Sequence, residues 1–264
     1  MFKDKMPNAI PSTVVHIPHA SMIIPATVLT AYAVSQNTLA AELLRMTDHF
    51  TDELFQLPSE AATSVVFPVS RLVVDPERFV DDTQEPMSGK GMGVVYTKTS
   101  DGQSLRPSGF SNLQRMELLE AYYYPHHRRL SEAVSTAIGR HGNCLIIDGH
   151  SFSSRPLQHE FDQHPHRPDI CIGTDDFHTP PWLSDLAVTV FKKQGLHVEI
   201  NRPFAGTIVP EPHFQRNPQV RSIMIEINRS VYMCEATGSK LPAFTEVAAA
   251  TKSALMQLIS QTTE

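Results

Sequence analysis

Residues 144–151 read Cys-Leu-Ile-Ile-Asp-Gly-His-Ser, an apolar run that ends in an acid, a glycine and a histidine. The run does not alternate between apolar and polar residues, which is typical of a strand that is buried on both faces of a sheet. In open α/β sheets, ligands bind beyond the carboxyl ends of such strands. The stretch therefore predicts a central strand with Asp148 and His150 at the edge that carries a functional site.

Outward from this stretch, the chain alternates between strand-like and helix-like segments. Runs of strand length that are rich in β-branched residues are Thr13–Ile17, Ser64–Val69, Arg71–Asp75, Gly93–Thr99, Cys144–Asp148, Asp169–Gly173, His197–Asn201 and Ser222–Asn228. Segments with helical periodicity are Thr38–Leu57, Ser111–Arg140, Pro181–Gln194 and Pro242–Thr262. This alternation predicts an α/β sheet covered by helices on both faces. No repeat or low-complexity linker divides the chain, so we expect a single domain over residues 1–264.

Composition excludes several classes of partner. The 264 residues include 22 Lys and Arg against 28 Asp and Glu, which gives a net charge of −6. Lys and Arg never form a run longer than two, so we expect no nucleic-acid partner and no anionic membrane surface. No apolar run approaches the roughly 18 residues of a membrane-spanning helix, and the N-terminal residues lack the apolar core of a signal peptide. We therefore expect a cytoplasmic protein.

The segment Ser111–Arg140 is predicted to be a long helix with an interruption. Ser111 is a residue type that caps helix N-termini, and Pro125 removes a hydrogen-bond donor inside the periodic pattern. We expect either a kink at Pro125 or a junction of two helices there. The pattern places His127 on the apolar face and His126 at its edge, where packing or hydrogen bonding is the expected role of both.

Histidines and an acid lie at the ends of three predicted strands. His19 follows the first strand, His150 follows the strand at 144–148, and Glu226 lies in the last strand. Neutral imidazoles and carboxylates suit zinc, and a catalytic zinc keeps one position open for water. As alternatives, His19 is a loop residue and His150 a core residue bonded to Asp148. Both His16 and Asp148 are placed to orient an imidazole from behind the metal ligands.

A third candidate ligand, Asp48, comes from the predicted helix Thr38–Leu57. With helical spacing, Asp48 shares the apolar face with Leu44 and Phe55, whereas His49 points toward solvent. A carboxylate on an apolar face is costly unless a cation or hydrogen-bond donors meet it. Asp48 is therefore expected to bind the metal or, alternatively, to accept backbone N–H groups of a neighbouring loop.

Glu226 is enclosed by the apolar residues of the run 223–227. Burial raises the pKa of a carboxyl group, and a carboxylate in that state can take a proton from a metal-activated water and pass it to a leaving amine. The alternative is an ion pair between Glu226 and an arginine, either Arg202 or Arg229.

Arginines form a second group of candidate site residues. Arg71 and Arg78 flank the predicted strand that ends at Asp75, and Arg202 follows another strand end. The planar guanidinium group suits carboxylates, so these arginines predict a small anionic substrate. The alternative is ordinary surface ion pairing, with Asp75 or Glu77 as partners.

Several longer motifs resemble one known family in order along the chain. They are HIPHAS, TDHFTDELF, SRLVVDPER, YYYPHHRRL, IIDGHSFSS, DICIG, NRPFAGTIVP and IMIEINRS, and they run from Thr13 to the last predicted helix. This series resembles the N-formylglutamate amidohydrolases, a family similar in fold to zinc carboxypeptidases and aspartoacylase-like enzymes. The resemblance implies a mixed central sheet with helices on both faces, the phosphorylase/hydrolase-like sandwich of the zinc carboxypeptidases.

The resemblance also implies a site. One zinc ion per chain is expected, with His19, Asp48 and His150 at the ligand positions and Glu226 at the position of the catalytic glutamate. In the aspartoacylase branch an Asn-Arg pair binds the substrate carboxylate. Here Arg78 matches the arginine, and Glu77 stands where that branch has asparagine.

These expectations define a reaction. We expect zinc-dependent cleavage of the formamide of N-formyl-L-glutamate to formate and L-glutamate, with Arg71, Arg78 and Arg202 holding the substrate carboxylates. By family analogy the pathway is histidine degradation. One alternative is hydrolysis of another N-acyl amino acid or a small peptide. A second is a non-catalytic metal-binding protein, which would account for the 13 histidines and especially those in 159–166.

Overall fold

The stretch 144–151 lies at the centre of a mixed six-stranded sheet in the computed structural model, which describes residues 11–262. The strands are β1 (Thr13–Ile17), β2 (Thr63–Val66), β3 (Cys144–Phe152), β4 (Ile170–Gly173), β5 (Val198–Ile200) and β6 (Val220–Asn228). Their order is β2-β1-β3-β6-β4-β5, and every neighbouring pair is parallel except β4 with β6. Every residue of β3 is buried, as its unbroken apolar run predicts. A short ribbon of β7 (Met233–Cys234) and β8 (Ser239–Lys240) lies outside this sheet.

Helices cover both faces of the sheet, which confirms the predicted fold class. They are α1 (Gln36–Met46), α2 (Thr51–Leu54), α3 (Asn112–Leu118), α4 (Tyr124–His141), α5 (Pro181–Lys192) and α6 (Phe244–Thr262). Val14 and Ile146 pack on the α4 side, whereas their neighbours Val15 and Ile147 pack with α5 and α6. A slip of one residue would exchange these faces, so packing fixes which strand-end side chains reach the site. Within 11–262, no helix is both long enough and apolar enough to cross a membrane.

The prediction of strands at Arg71–Asp75 and Gly93–Thr99 was wrong. Both segments are buried loops with turns, and their apolar side chains fill clusters beside the sheet. Side chains replace the missing strand partners: Arg106 Nη2 donates hydrogen bonds to the carbonyl oxygens of Leu72 (2.7 Å) and Val73 (3.2 Å). An apolar, β-branched run indicates that a segment is buried. It forms a strand only where a neighbouring strand can hydrogen-bond to its main chain.

The predicted helix Thr38–Leu57 is broken at residues 47–50. Phe50 adopts a left-handed conformation (φ 64°), and the Asp48 N–H donates to the His19 carbonyl oxygen (3.0 Å) instead of continuing the helix. Asp48 therefore does not lie on a helix face, contrary to the prediction from the spacing of Thr38–Leu57. Asp48 is buried because the break turns it toward the strand ends, and His49, which we expected at the surface, is buried as well.

The segment from Ser111 onward is helical throughout but not uniformly α-helical. Ser111 caps α3 as expected. A π-helical turn, Leu119–Tyr123, joins α3 to α4 immediately before Pro125, so the helix continues through this point. A π turn holds one extra residue and rotates the rest of the helix by about 100° relative to an unbroken α-helix. As a result His126 is fully buried and His127 only partly, the reverse of the prediction.

Candidate active site

Three buried side chains converge at the carboxyl ends of β1 and β3. His19 follows β1, His150 lies in β3, and Asp48 comes from the break between α1 and α2. The Asp48 Oδ2 atom is 3.3 Å from His150 Nδ1 and 3.7 Å from His19 Nδ1. Tetrahedral ligands with bonds of about 2.0–2.1 Å would lie roughly 3.3–3.4 Å apart, close to these distances. The structure thus brings together three residues that could hold a metal ion.

A buried carboxylate orients each of the two histidines through the opposite ring nitrogen. His19 Nε2 is 2.8 Å from Asp75 Oδ1, and His150 Nε2 is 3.1 Å from Asp148 Oδ1. Because an ionised carboxylate only accepts, both Nε2 atoms carry a proton, and the Nδ1 atom of each ring faces Asp48. In residues 11–262, His19 Nδ1 is buried without a hydrogen-bond partner. This is the arrangement by which proteins orient metal-binding histidines.

The carboxylates of this group are ionised. Burial opposes the charge of Asp48, but a hydrogen bond with His150, the nearby His19 and the charge of Arg229 hold its pKa well below the usual range. Burial likewise opposes the charge of Asp75, yet Arg71 and His19 hold its pKa well below normal. Anionic oxygen and neutral imidazole nitrogen are donors that divalent zinc accepts.

Arg229 fixes Asp48 from the side opposite the histidines. Its Nη2 donates to Asp48 Oδ1 (2.9 Å), its Nε to Ser151 Oγ (3.1 Å) and its Nη1 to the carbonyl oxygen of Arg45 (2.6 Å). Only one oxygen of Asp48 is taken by this cation, which leaves Oδ2 toward the histidines. Arg229 was expected only as an ion-pair partner of Glu226, although its place directly after β6 is a strand-end position.

Glu226 lies in β6 directly opposite His150 of β3 in the strand register. It is 7% exposed, and its Oε2 atom is buried without a hydrogen-bond partner among the described residues. Burial raises the pKa of Glu226 to about 8. Neither arginine considered as its ion-pair partner takes that place, since Arg229 pairs with Asp48 and Arg202 with Glu199.

A cavity of about 350 Å³ opens beside these groups. Arg71 and Arg78 line it together with His19, His150 and Glu226. Arg71 Nη2 is 2.8 Å from Asp75 Oδ2, so it forms the ion pair that we considered, but in the interior. The Arg78 Nε atom is buried and has no hydrogen-bond partner in the described part of the chain.

The structure does not bring Arg202 to this cavity. Arg202 is not one of the described residues that line the cavity. Its guanidinium contacts Glu199, Asp162 and the carbonyl oxygen of His166 instead. The strand-end rule pointed to Arg202 because it follows β5. However, β5 is the outermost strand, and the site lies at the centre of the sheet.

His16 and Asp148 lie behind His150, on the side away from the cavity. The Asp148 Oδ1 atom accepts from His150 Nε2 (3.1 Å) and from His16 Nδ1 (2.9 Å). Burial opposes protonation of His16, but Asp148 and Glu77 raise its pKa to about 9. Its Nε2 atom is 2.8 Å from His126 Nε2, which gives the buried His126 a hydrogen-bonding role.

The loop that carries Glu77 and Arg78 is held by the helix on its outer side. The Tyr123 hydroxyl donates to the Arg78 carbonyl oxygen (3.1 Å), and His127 Nε2 donates to the Pro76 carbonyl oxygen (2.9 Å). Both donors flank Pro125 at the end of the π turn. Their contacts fix the backbone from which Arg78 reaches the cavity.

Comparison with known proteins decides the family. A family model described as N-formylglutamate amidohydrolase matches residues 12–233. The chain belongs to the N-formylglutamate amidohydrolase family. It is therefore an enzyme that hydrolyses an amide bond, and the resemblance inferred from its motifs is confirmed.

Individual relatives of this family member agree over nearly the whole chain. N-formylglutamate deformylase of Pseudomonas aeruginosa is 27% identical over 245 residues, which are 90% of each protein. The crystal structure of N-formylglutamate amidohydrolase from Ralstonia eutropha JMP134 matches with a TM-score of 0.81 at 21% identity, over 96% of each chain. A gene product of Agrobacterium tumefaciens matches with a TM-score of 0.62 at 21% identity, over 96% of this chain and 90% of its own. The two structures support the fold.

Proposed function

We propose that this enzyme hydrolyses N-formyl-L-glutamate to formate and L-glutamate with one zinc ion held by His19, Asp48 and His150. The observation that carries the proposal is the convergence of two Nδ1 atoms and one carboxylate oxygen in an arginine-lined cavity, beside Glu226, whose Oε2 has no hydrogen-bond partner within residues 11–262. The name of the Pseudomonas aeruginosa relative, N-formylglutamate deformylase, supports the choice of substrate.

The donor set fits zinc by its own chemistry. The Nδ1 atoms of two imidazoles and one oxygen of a carboxylate form a three-ligand set. Catalytic zinc sites use sets of this kind and keep the fourth position open. When bound, zinc supplies Lewis acidity, which lowers the pKa of water and polarises a carbonyl oxygen. Asp75 and Asp148 hold the two imidazoles in the required tautomer.

Glu226 is the proton carrier of the proposed reaction. A carboxyl group whose pKa lies near neutrality can take a proton and return it within one turnover. Glu226 accepts the proton of the attacking water as the new C–O bond forms at the formyl carbon. It then donates that proton to the glutamate nitrogen as the C–N bond breaks. The products are formic acid, which ionises to formate, and L-glutamate, and Glu226 is again a carboxylate.

The arginines of the cavity hold the substrate by its charge. Arg78 lines the cavity, and its buried Nε has no hydrogen-bond partner in the described part of the chain. Guanidinium binds carboxylates through paired N–H groups. Arg71 lies next to it but uses Nε and Nη2 on Asp75. Arg202 lies outside the cavity and has no part in the proposal.

Turnover tests this function against its closest alternative. The cavity volume is at the small end for ligand pockets, which favours a single amino acid derivative over a peptide. The purified enzyme should release formate from N-formylglutamate, lose this activity on chelation, and regain it with one equivalent of zinc per chain. N-acetylglutamate and N-succinylglutamate are the comparison substrates. Faster turnover of either would replace N-formylglutamate, and full activity after complete metal removal would refute the zinc proposal.

A further inference from the structure

The proposed substrate carries two carboxylates, so its recognition calls for two cations with free N–H groups. The described arginines that line the cavity are Arg45, Arg71, Arg78 and Arg229. Which of them are free is decided by the hydrogen bonds that each already makes inside the protein. This question rests on the proposed function, because only a dianionic substrate requires two such cations.

Arg229 and Arg71 are committed to acids of the site itself. All three nitrogens of Arg229 donate to protein oxygens, Asp48 among them. Arg71 places Nε (3.2 Å) and Nη2 (2.8 Å) on Asp75 Oδ2, and its Nη1 is 3.8 Å from Asp48 Oδ1. These two arginines neutralise Asp48 and Asp75, and a substrate carboxylate would have to compete with those acids.

Arg78 is the first free cation. Its nearest acids, Asp75 at 4.0 Å and Glu85 at 3.9 Å, lie beyond hydrogen-bond distance of Nε. Nε is nevertheless buried and unpaired in residues 11–262, which is costly unless a ligand completes it.

Arg45 is the second. Its Nη1 atom donates to Glu42 Oε2 (3.0 Å) and Ser100 Oγ (2.8 Å), and Nε and Nη2 make no hydrogen bond with the described residues. The guanidinium is thus tethered at one nitrogen, while the other two remain available to a planar carboxylate.

The contact of Arg45 with Glu42 and Ser100 is part of a buried hydrogen-bond network. Glu42 is 1% exposed, and its carboxylate also accepts the Ser100 N–H (2.5 Å) and Ser100 Oγ–H (2.8 Å). A buried acid with three donors fixes the Arg45 head group at the cavity wall. Simple stabilisation of the end of α1 would need only a basic residue in the last turn, without a buried partner.

We propose that Arg45 binds one carboxylate of the substrate and Arg78 binds the other, with Glu42 and Ser100 as positioning residues for Arg45. Arg45 is then a specificity-determining residue that supplies the role first expected of Arg202. The two contacts make the cavity selective for an N-acyl amino acid with an acidic side chain.

The test is a substrate cycle. Arg45→Met and Arg78→Met are each assayed with N-formylglutamate, with its side-chain amide N-formylglutamine, and with its α-amide N-formylisoglutamine. Each variant should lose about 10- to 100-fold in kcat/KM with N-formylglutamate, the range of one charged hydrogen bond. Each loss should largely disappear with one of the two amides, a different one for each arginine. Losses of Arg45→Met that are equal for all three substrates, or coupling of both arginines to the same carboxylate, would overturn the proposal.

Matched variants separate binding from folding. Arg140→Met also removes an arginine from the last turn of a helix, but outside the cavity, and should leave kcat/KM unchanged. Arg45→Lys should recover part of the loss because it restores the charge without the planar fork. Glu42→Gln should raise KM more than it lowers kcat, and a change in kcat alone would remove Glu42 from the positioning role.

Binding of glutarate distinguishes failure of this inference from failure of the proposed function. Glutarate has both carboxylates but no amide, so calorimetry measures recognition without turnover. Arg45→Met should weaken glutarate binding by about 10-fold or more. Loss of glutarate affinity in a protein that does not cleave N-formylglutamate would refute only the proposed reaction. Unchanged glutarate affinity in an active enzyme would refute only the role of Arg45.

Discussion

The two histidines of the candidate metal site are oriented alike, but by different kinds of structure. His150 and its carboxylate Asp148 lie two residues apart in β3, where main-chain pairing with β6 holds both residues and pairing with β1 also holds Asp148. His19 follows β1, and its carboxylate Asp75 lies in the loop that was predicted to be a strand. We refer to these as the sheet side and the loop side of the site.

The loop side depends on side chains for its geometry. Asp75 Oδ2 accepts from Arg71 Nη2 (2.8 Å) and from the Tyr96 hydroxyl (2.5 Å). Arg106 in turn holds the loop backbone at Leu72, Val73 and Tyr96. Main-chain pairing tolerates changes of side chain, whereas each of these contacts is lost with one substitution. The loop side should therefore be the more fragile half of the site.

The largest effect is expected from loss of a metal ligand on the sheet side. His150→Ala removes one of three donors, so bound zinc should be lost and formate release should fall by at least about 10³-fold. Metal analysis and circular dichroism check this, and the fold should persist because the β3 ladder is unchanged. His197→Ala, which removes an exposed histidine beside the outermost strand, is the control. Retention of stoichiometric zinc by His150→Ala would exclude His150 as a ligand.

Glu226→Gln should separate chemistry from metal binding. The amide keeps the shape of the side chain but cannot carry the proton, so kcat should fall by at least about 10²-fold while zinc stays bound. Steady-state kinetics and metal content measure the two properties. Zinc loss would make Glu226 a ligand, and near-normal turnover would show that another group moves the proton.

Burial of the Glu226 carboxyl group gives the wild-type protein a pH-dependent stability that Glu226→Gln lacks. The folded pKa of Glu226 (about 8) lies above the ordinary pKa of 4.5, so the folded state holds the proton more tightly than the unfolded chain. The Glu226 contribution therefore falls as pH rises from 4.5 to 8, by at most about 1.4 kcal/mol per pH unit. In chelator, Glu226→Gln should gain stability over wild type across this range, as measured by urea unfolding. A constant difference would contradict the raised pKa.

The comparison of the two sides is sharpest for their carboxylates. Asp75→Asn and Asp148→Asn should each weaken zinc binding by about 10- to 100-fold, because each releases one imidazole. Asp75→Asn should also cost about 3–5 kcal/mol of unfolding free energy, since the largely buried Arg71 is left without its closest acid and cannot lose its charge. Asp148→Asn should cost less, because His16 can deprotonate. Equal stability losses would show that the two sides are equally robust.

A smaller effect is expected from the brace of the loop side. Arg106→Met leaves buried carbonyl oxygens without donors and should lower the unfolding free energy by about 1–3 kcal/mol. Zinc affinity should change little once the protein is folded, because Arg106 contacts no candidate ligand. Urea unfolding with and without zinc measures both quantities. A decrease in unfolding free energy of less than about 0.5 kcal/mol, the usual range for surface substitutions, would show that Arg106 does not stabilise the loop.

The sheet side of the site could be predicted from the sequence better than the loop side. The runs at Thr13–Ile17 and 144–151 predicted the strands on which His16, Asp148 and His150 stand, because period and burial are local properties. The approach of His19 and Glu226 to His150 followed from the rule that parallel strands end at one edge. For Asp48 the spacing argument pointed to the correct interior position for a wrong reason, since the helix breaks before it.

The rest depended on contacts between distant residues. Arg71 and Arg202 carry the same chemistry beside predicted strands, but Arg71 lines the cavity from a loop whereas Arg202 follows the outer strand β5. Arg45 gave no signal because its tether to Ser100 spans 55 residues. Asp75 did carry a signal, an acid directly after an apolar run, as in Asp148. It was interpreted as a surface ion-pair partner because its neighbours are charged.

The π turn at Leu119–Tyr123 makes the site sensitive to helix length rather than to side-chain identity. Tyr123 and His127 reach the loop at Arg78 and Pro76 only because one extra residue rotates the following helix toward it. Deleting a single residue there, such as Ala121, restores α-helical spacing and swings both donors away by about 100°. In evolutionary terms, one inserted codon separates a plain helix on the flank of the sheet from a helix that holds the loop of Glu77 and Arg78 in place.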